Sequence, residues 1–213
     1  LLKKYYCLKE MGIEEIIINK SRFIGLATPI ESEEQAQGII EKVRKEHMNA
    51  THNVYAYIFG ENDQIQRCSD NGEPSGTAGK PVLEVIKKEN LKNTLVIVTR
   101  YFGGIKLGSG GLIRAYAQSA KEAIVKAKKG YNLLMNSVEI TFNYHYHGKI
   151  ENFLLNYKYV KDTVFTDKVT VKLLLEDEEI EAFKTAILNI TAGNAEIKLT
   201  GKEYVFVEVA TNG

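Results

Sequence analysis

Two glycine-rich stretches hold most of the residues whose types and spacing could do chemistry in this chain. The first, SDNGEPSGTAGKP (69–81), has three of the 17 glycines and two of the three prolines. Between Gly72 and Gly79 it carries Glu73, Ser75 and Thr77, with Asp70 before them and Lys80 after. Such a stretch reads as a plain surface loop, a phosphate cradle or a recognition loop. A Walker-type phosphate loop needs a glycine five residues before Gly-Lys and a hydroxyl residue after it. Here Pro74 and Pro81 stand at those positions and no strand runs directly into the loop, so the stretch does not read as a Walker-type NTP site.

The second stretch, RYFGGIKLGSGGLIRAY (100–116), begins with Arg100, Tyr101 and Phe102 and passes Gly103, Gly104, Gly108, Gly110 and Gly111. It leaves a β-branched run and enters a helical pattern. Free amides at a helix start attract anions, and this reading puts Arg114 in the first turn. Glycines at such a junction also serve tight turns and close backbone approach, and both readings stand. The dinucleotide pattern G-x-G-x-x-G fails, because Ile113 occupies the third glycine position.

Other reactive side chains give weaker patterns. His145 and His147 alternate as two metal ligands would, but no third ligand lies near them in sequence. Cys68 abuts the first loop and His52 opens the preceding strand, the two parts of a thiol nucleophile and its base. Asp70 and Glu73 are candidate acids, although Asp70-Asn71-Gly72 is also a strong turn signal. Lys20, Arg22, Arg67, Lys80, Arg100, Lys106 and Arg114 lie in or beside these stretches. Tyr55, Tyr57, Tyr101 and Phe102 are interleaved with them as candidate stacking surfaces for unpaired bases.

The elements that must position these residues fall into two sets. EEIIINK and SRFIGLATPI read as a strand pair, and SEEQAQGIIEKVRKEH as a helix capped by Ser32 with Gln35 in the capping-box position. NVYAYIFG is a strand followed by about 20 residues of polar, Gly-rich loop. Pro81 opens the helix PVLEVIKKEN, and TLVIVTRYF is the central strand. The helix from Gly111 presents Leu112, Tyr116, Ser119, Ala123 and Ala127 on one face. From Val138 onward the pattern is βαββαβ: VEITFNY, GKIENFLLNYK, a strand pair turning at Asp167, DEEIEAFKTAILNI and a last strand interrupted at Gly201. That order is the ferredoxin-like sandwich. The turn-prone YNLLMNS marks a boundary between domains at 1–133 and 137–213.

Charge changes at the same place. Up to Asn136 there are 20 Lys and Arg against 15 Asp and Glu, giving +5; from Ser137 the count is 8 against 12, giving −4. A basic half can face nucleic acid. The first 20 residues show no signal peptide, no run approaches a membrane span, and Cys7 and Cys68 are spaced as reduced thiols. The expectation is a cytoplasmic protein with no membrane association.

Taken together, KSRFIG (20–25), ATHNVYAY (50–57), SDNGEPSGTAGKP and VIVTRYFGGIKLGSGGLIRAY resemble the Impact/YigZ family, in spacing as well as in letters. The resemblance covers about residues 10–130, and the βαββαβ tail fits the C-terminal domain of bacterial members. It implies an α/β (α+β) chain. The first domain is like the second domain of a small-subunit ribosomal protein. The second is like a ferredoxin-like domain of elongation factor G. Eukaryotic relatives act in translational control by binding a partner that activates a stress kinase, through an additional domain. Bacterial members are sometimes labelled as proline dipeptidases, yet the carboxylate and histidine cluster of that metal chemistry cannot be assembled here.

The expectation is therefore a non-catalytic nucleic-acid- or ribosome-binding module linked to translation, with no cofactor, no metal and no assigned catalytic residue. Its binding residues are drawn from Arg22, the 70–80 loop and the 100–114 loop. A hydrolase or small-molecule anion site in the same loops, and a protein-interaction adaptor, are the alternatives.

Overall fold

The structure, a computed structural model, describes residues 1–209, so the last four residues of the expected 137–213 segment lie outside the described residues. The chain divides into two compact units, Leu1–Asn132 together with the chain from Phe206, and Leu133–Val205.

The first unit begins with β1 (Lys4–Leu8), β2 (Gly12–Ile18), β3 (Ser21–Pro29), α1 (Glu33–Glu46) and β4 (His52–Phe59). It continues through β5 (Ile65–Ser69), α2 (Gly79–Lys88), β6 (Thr94–Tyr101) and α3 (Gly108–Lys126) to the start of β7 (Lys129–Phe142). Its main sheet has the order β2-β3-β6-β4-β5, antiparallel throughout. The β-branched β6 lies at the centre and is buried from Thr94 to Arg100, as a strand covered on both faces must be. Side-chain alternation then sorts the sheet. Phe23, Ala27, Val54, Ala56, Val96 and Val98 pack with α2 and α3, whereas Tyr57, Leu95 and Ile97 pack with Ile40 and Val43 of α1. Ser32 caps α1 by accepting from the Gln35 amide at 3.1 Å, and Gln35 reaches back to the Glu31 amide.

Four expectations change in this unit. The polar stretch after β4 contains β5, paired along β4 from Tyr55↔Ser69 to Phe59↔Ile65. Its alternation is hidden because an edge strand with exposed side chains carries little apolar signal. The α2 helix starts at Gly79, two residues before Pro81. The α3 helix starts at Gly108, so Arg114 lies in the second turn rather than the first. The expected boundary segment YNLLMNS runs inside β7. Its asparagines do not turn the chain, because their side chains are engaged elsewhere: Asn132 donates to Tyr5 Oη and Asn136 to Asp177 Oδ1.

The second unit takes the later residues of β7, then α4 (His147–Leu154), β8 (Val160–Phe165), β9 (Val169–Leu175), α5 (Ile180–Ile190) and β10 (Ala195–Glu208). The strand order β8-β9-β7-β10 with this βαββαβ succession is the ferredoxin-like arrangement. Its core holds Ile140, Phe142, Ile150, Val171, Phe183 and Ile187. Asp167 turns the β8–β9 hairpin as expected, and β10 passes through Gly201 without a break.

Phe23 is fully buried and meets the Tyr116 ring edge-on at 5.3 Å. Phe23→Ala leaves a cavity under the centre of the sheet, and we expect a loss of about 3–5 kcal/mol, measured as a lowered urea midpoint at unchanged slope.

Candidate functional site

The site grows from adjacent strand positions. Arg100, near the end of β6, faces Phe23 of β3 on one side and His52 of β4 on the other. Their shared register turns all three toward the α2–α3 face. Arg100 is 5% exposed, and Nη1 donates to Glu73 Oε1 at 2.6 Å. Nη2 donates to Ser21 Oγ at 3.3 Å. Tyr116, reaching in from α3, donates its hydroxyl to the same Glu73 Oε1 at 2.7 Å. Burial first, and then the bond to the Glu73 carboxylate, push this phenol far above its ordinary pKa, so it stays a donor. Glu73 thus arrives from the first glycine-rich loop to neutralise a buried guanidinium.

His52 completes the floor. Its Nδ1 lies 2.8 Å from the Asn71 carbonyl. A carbonyl only accepts, so Nδ1 carries a hydrogen. Nε2 lies 3.8 Å from Glu73 Oε2, too far for a hydrogen bond.

The loop residues hold this arrangement in place. The Asp70 carboxylate accepts from the amides of Gly76, Ala78 and Gly79 at 2.8, 3.1 and 2.8 Å. It caps α2, which has no cap from its own first residue. Asn71 and Gly72 both adopt positive φ, 46° and 88°, the backbone that Asn-Gly turns favour. Thr77 bonds back to the Pro74 carbonyl at 2.7 Å. In the second loop, Ser21 Oγ accepts from Gly103 N and Thr51 Oγ1 from Phe102 N. A Cβ at Gly103 would sit 2.0 Å from the Lys20 backbone, so only glycine fits there.

The two glycine-rich loops line one cleft of about 390 Å³. Glu73 and Pro74 come from the first loop, and Arg100, Phe102 and Lys106 from the second. Leu107, Gly108, Ser109 and Leu112 supply the start of α3, with Thr51 and His52 between the loops. Phe102 is 47% exposed. No side chain caps the α3 amides. A second cleft of about 350 Å³, in the second unit, is lined mainly by apolar side chains of α4, β8 and β9, with His147 and Glu151 4.0 Å apart. Among the described residues no three His, Cys, Asp or Glu side chains converge to hold a metal ion.

The remaining expected residues divide. Asp70, Gly72, Thr77 and Gly79 shape the first loop. Ser75, Gly104, Gly110, Gly111 and Arg114 do not line the cleft, and Lys80 lines a separate surface groove with Pro81 and Ile113. Arg22 and Tyr101 pair in register on the opposite sheet face, with the guanidinium over the Tyr101 ring and an ion pair to Glu15 at 2.8 Å. Tyr57 is fully buried and donates to Glu33, so it offers no stacking surface, and Tyr55 is stacked against it. Phe102 remains. The thiol–imidazole pairing of Cys68 with His52 also fails. Cys68 pairs with Ala56, four residues along β4 from His52 and thus roughly 13 Å away. Its thiol pKa is raised, chiefly by burial and then by Asp70.

The convergence of His52, Ser21 and Tyr116 on Glu73 and Arg100 was not read from the sequence. A lone hydroxyl-bearing aromatic on a face otherwise built of Leu, Ser and Ala is the one signal that pointed toward it.

Residues 19–124 match the Impact N-terminal domain, and residues 140–194 match a domain of unknown function (DUF1949). IMPACT family member YvyE of Bacillus subtilis is 44% identical over all 213 residues, spanning 97% of that relative. The chain belongs to the IMPACT family. IMPACT family member YigZ of Escherichia coli is 36% identical over 67% of this chain and 70% of its own length. Protein IMPACT of Mus musculus is 39% identical over 42% of this chain and 29% of its own. A crystal structure of a hypothetical protein, 27% identical, superposes with a TM-score of 0.60 over 95% of this chain and all of that one. The span matched to the Impact N-terminal domain contains both loops that line the cleft.

Asp70→Ala removes three charge-assisted amide bonds at once, and we expect it to cost about 1–3 kcal/mol, read by denaturant unfolding. Cys7 is buried and its thiol is pushed up to about 11, chiefly by burial, while Cys68 is exposed. At pH 8 a disulfide reagent should therefore label one thiol in the native protein and two after unfolding, with Cys68→Ser abolishing the native signal.

Proposed function

We propose that the first unit is a non-catalytic RNA-binding module that works on the ribosome or elsewhere in translation, in the cytoplasm. In this reading the binding domain is 1–133 and the segment 137–213 is a separate domain. The observation that carries it is the composition of the cleft. Exposed Phe102 stands beside Lys106 and the uncapped start of α3, an aromatic platform next to a site for phosphate. The basic balance of residues 1–136 supports the same direction, as does the translational role that the family resemblance implies for eukaryotic members. Among the described residues no helix is long and apolar enough to cross a membrane.

Arg100 is the wrong residue with which to test this reading. Removing it strands Glu73 as a buried charge, and Arg100→Ala should cost about 3–5 kcal/mol of stability, obscuring any effect on binding. Phe102 and Lys106 are exposed and have no such role in the core. Anisotropy titrations of a labelled single-stranded RNA should show affinity falling steeply between 50 and 200 mM salt. Phe102→Ala should weaken binding by about 1–3 kcal/mol, and Lys106→Ala should reduce the salt slope by about 0.7. Absence of binding at low salt, or binding insensitive to salt, overturns the proposal.

A further inference from the structure

The Arg100 guanidinium is enclosed on several sides, and one of its donors is left over. The side chain is only 6% exposed; Nη1 donates to Glu73 and Nη2 to Ser21. The Phe23 and Phe102 rings lie with their centres 5.4 and 5.6 Å from its Cζ. Nε is buried and has no hydrogen-bond partner among the described residues. A guanidinium nitrogen can only donate, and it shares the positive charge. Leaving it buried without an acceptor is costly, and an anionic oxygen meets it best.

Arg100 lines the cleft together with Lys106 and the first residues of α3, whose amides no side chain caps. The Glu73 charge is balanced by Arg100 itself, which leaves Lys106 and the helix start to favour an anion. Of the four side chains around the guanidinium, Glu73, Ser21 and Phe23 are buried and only Phe102 is exposed. A ligand that reaches Nε therefore comes in beside Phe102.

That approach selects the form of the anion. A phosphate inside a nucleic-acid strand carries a sugar on each side, and both would have to follow it to the floor. A terminal phosphate has one ester arm and three free oxygens, enough for Nε, Lys106 and an α3 amide together. It also carries a charge of about −1.5 to −2 at neutral pH, more than a diester. We infer that the cleft takes a phosphomonoester at the end of a nucleotide chain. The phosphate lies at Arg100 Nε, Lys106 and the start of α3, and the adjoining base stacks on the exposed face of Phe102. This inference rests on the RNA-binding reading and deepens it by naming the part of the RNA that is held.

The test titrates the full chain with short single-stranded RNAs of one sequence that end in hydroxyls, in a 5′-phosphate or in a 3′-phosphate. A hydroxyl-ended RNA two nucleotides longer controls for the added charge. One of the phosphate-ended RNAs should bind about tenfold tighter than the hydroxyl-ended RNA and its longer control. Uridine 5′- or 3′-monophosphate should shift the Arg100 Nε–H proton resonance. Arg100→Lys keeps a charge opposite Glu73 but has no Nε–H, and should remove the preference for a phosphate end. Where that variant does not fold, the wild-type Nε–H resonance decides. Equal affinity for all four RNAs, with salt-dependent binding intact, overturns the terminal-phosphate inference and leaves the RNA reading standing. A preference for the phosphate end with the Nε–H resonance unmoved overturns the site at Arg100. Uridine monophosphate that shifts this resonance, without binding of any RNA, keeps the phosphate site and overturns the RNA reading. No binding of either overturns both.

Discussion

A carboxylate and a guanidinium taken out of water have to find each other, and this requirement organises the first unit. Arg100 sits near the end of the central strand β6 and is only 5% exposed at the floor of the cleft, so its charge is largely withdrawn from solvent. Glu73 meets it from a loop 27 residues earlier in sequence. The loop therefore stays where charge neutralisation puts it, with Tyr116 of α3 donating to Glu73 and Ser21 at the start of β3 accepting from Arg100. Sheet, helix and loop are joined at one point. Either charge without the other would be worse than neither, which is why such a pair fixes geometry more than it adds stability.

This division of labour explains why the glycine-rich stretches contain so many special residues and so few that face the cleft. Asp70, Thr77 and Gly103 spend their special chemistry on the backbone. Asp70 supplies acceptors to three amides, Thr77 closes its own turn, and Gly103 lets the second loop pass against Lys20. What they leave at the surface is small: one aromatic ring, one lysine, the first turn of α3, and Glu73 with His52 on the floor.

The parts legible in the sequence were those written in local periodicity. The β2–β3 pair, the capped α1, the central β6 and the buried face of α3 all repeat at the spacing of their own element, and the βαββαβ order of the second unit followed from the same reading. The parts that were not legible depend on distant partners. β5 has a polar sequence because it is an edge, and only its pairing with β4 makes it a strand. Asn132 and Asn136 look like turn residues until Tyr5 and Asp177 occupy their side chains. Tyr57 alternates like a surface tyrosine but its hydroxyl reaches Glu33 and Gln37 of α1, so the ring can be buried. Glu73 could be named as a candidate from its setting, whereas its bond to Arg100 is a contact that no local pattern encodes.

The Asp70 clamp has a consequence for how this loop can vary. One carboxylate holds amides six, eight and nine residues ahead of it, so the loop is measured as well as composed. Inserting a single residue between Gly76 and Ala78 would shift the Ala78 and Gly79 amides against the Gly76 amide while leaving every characteristic letter in place. Changes of length in this loop should therefore be rarer than changes of residue, an unusual condition for an exposed connection, where insertions are ordinarily the cheapest form of divergence.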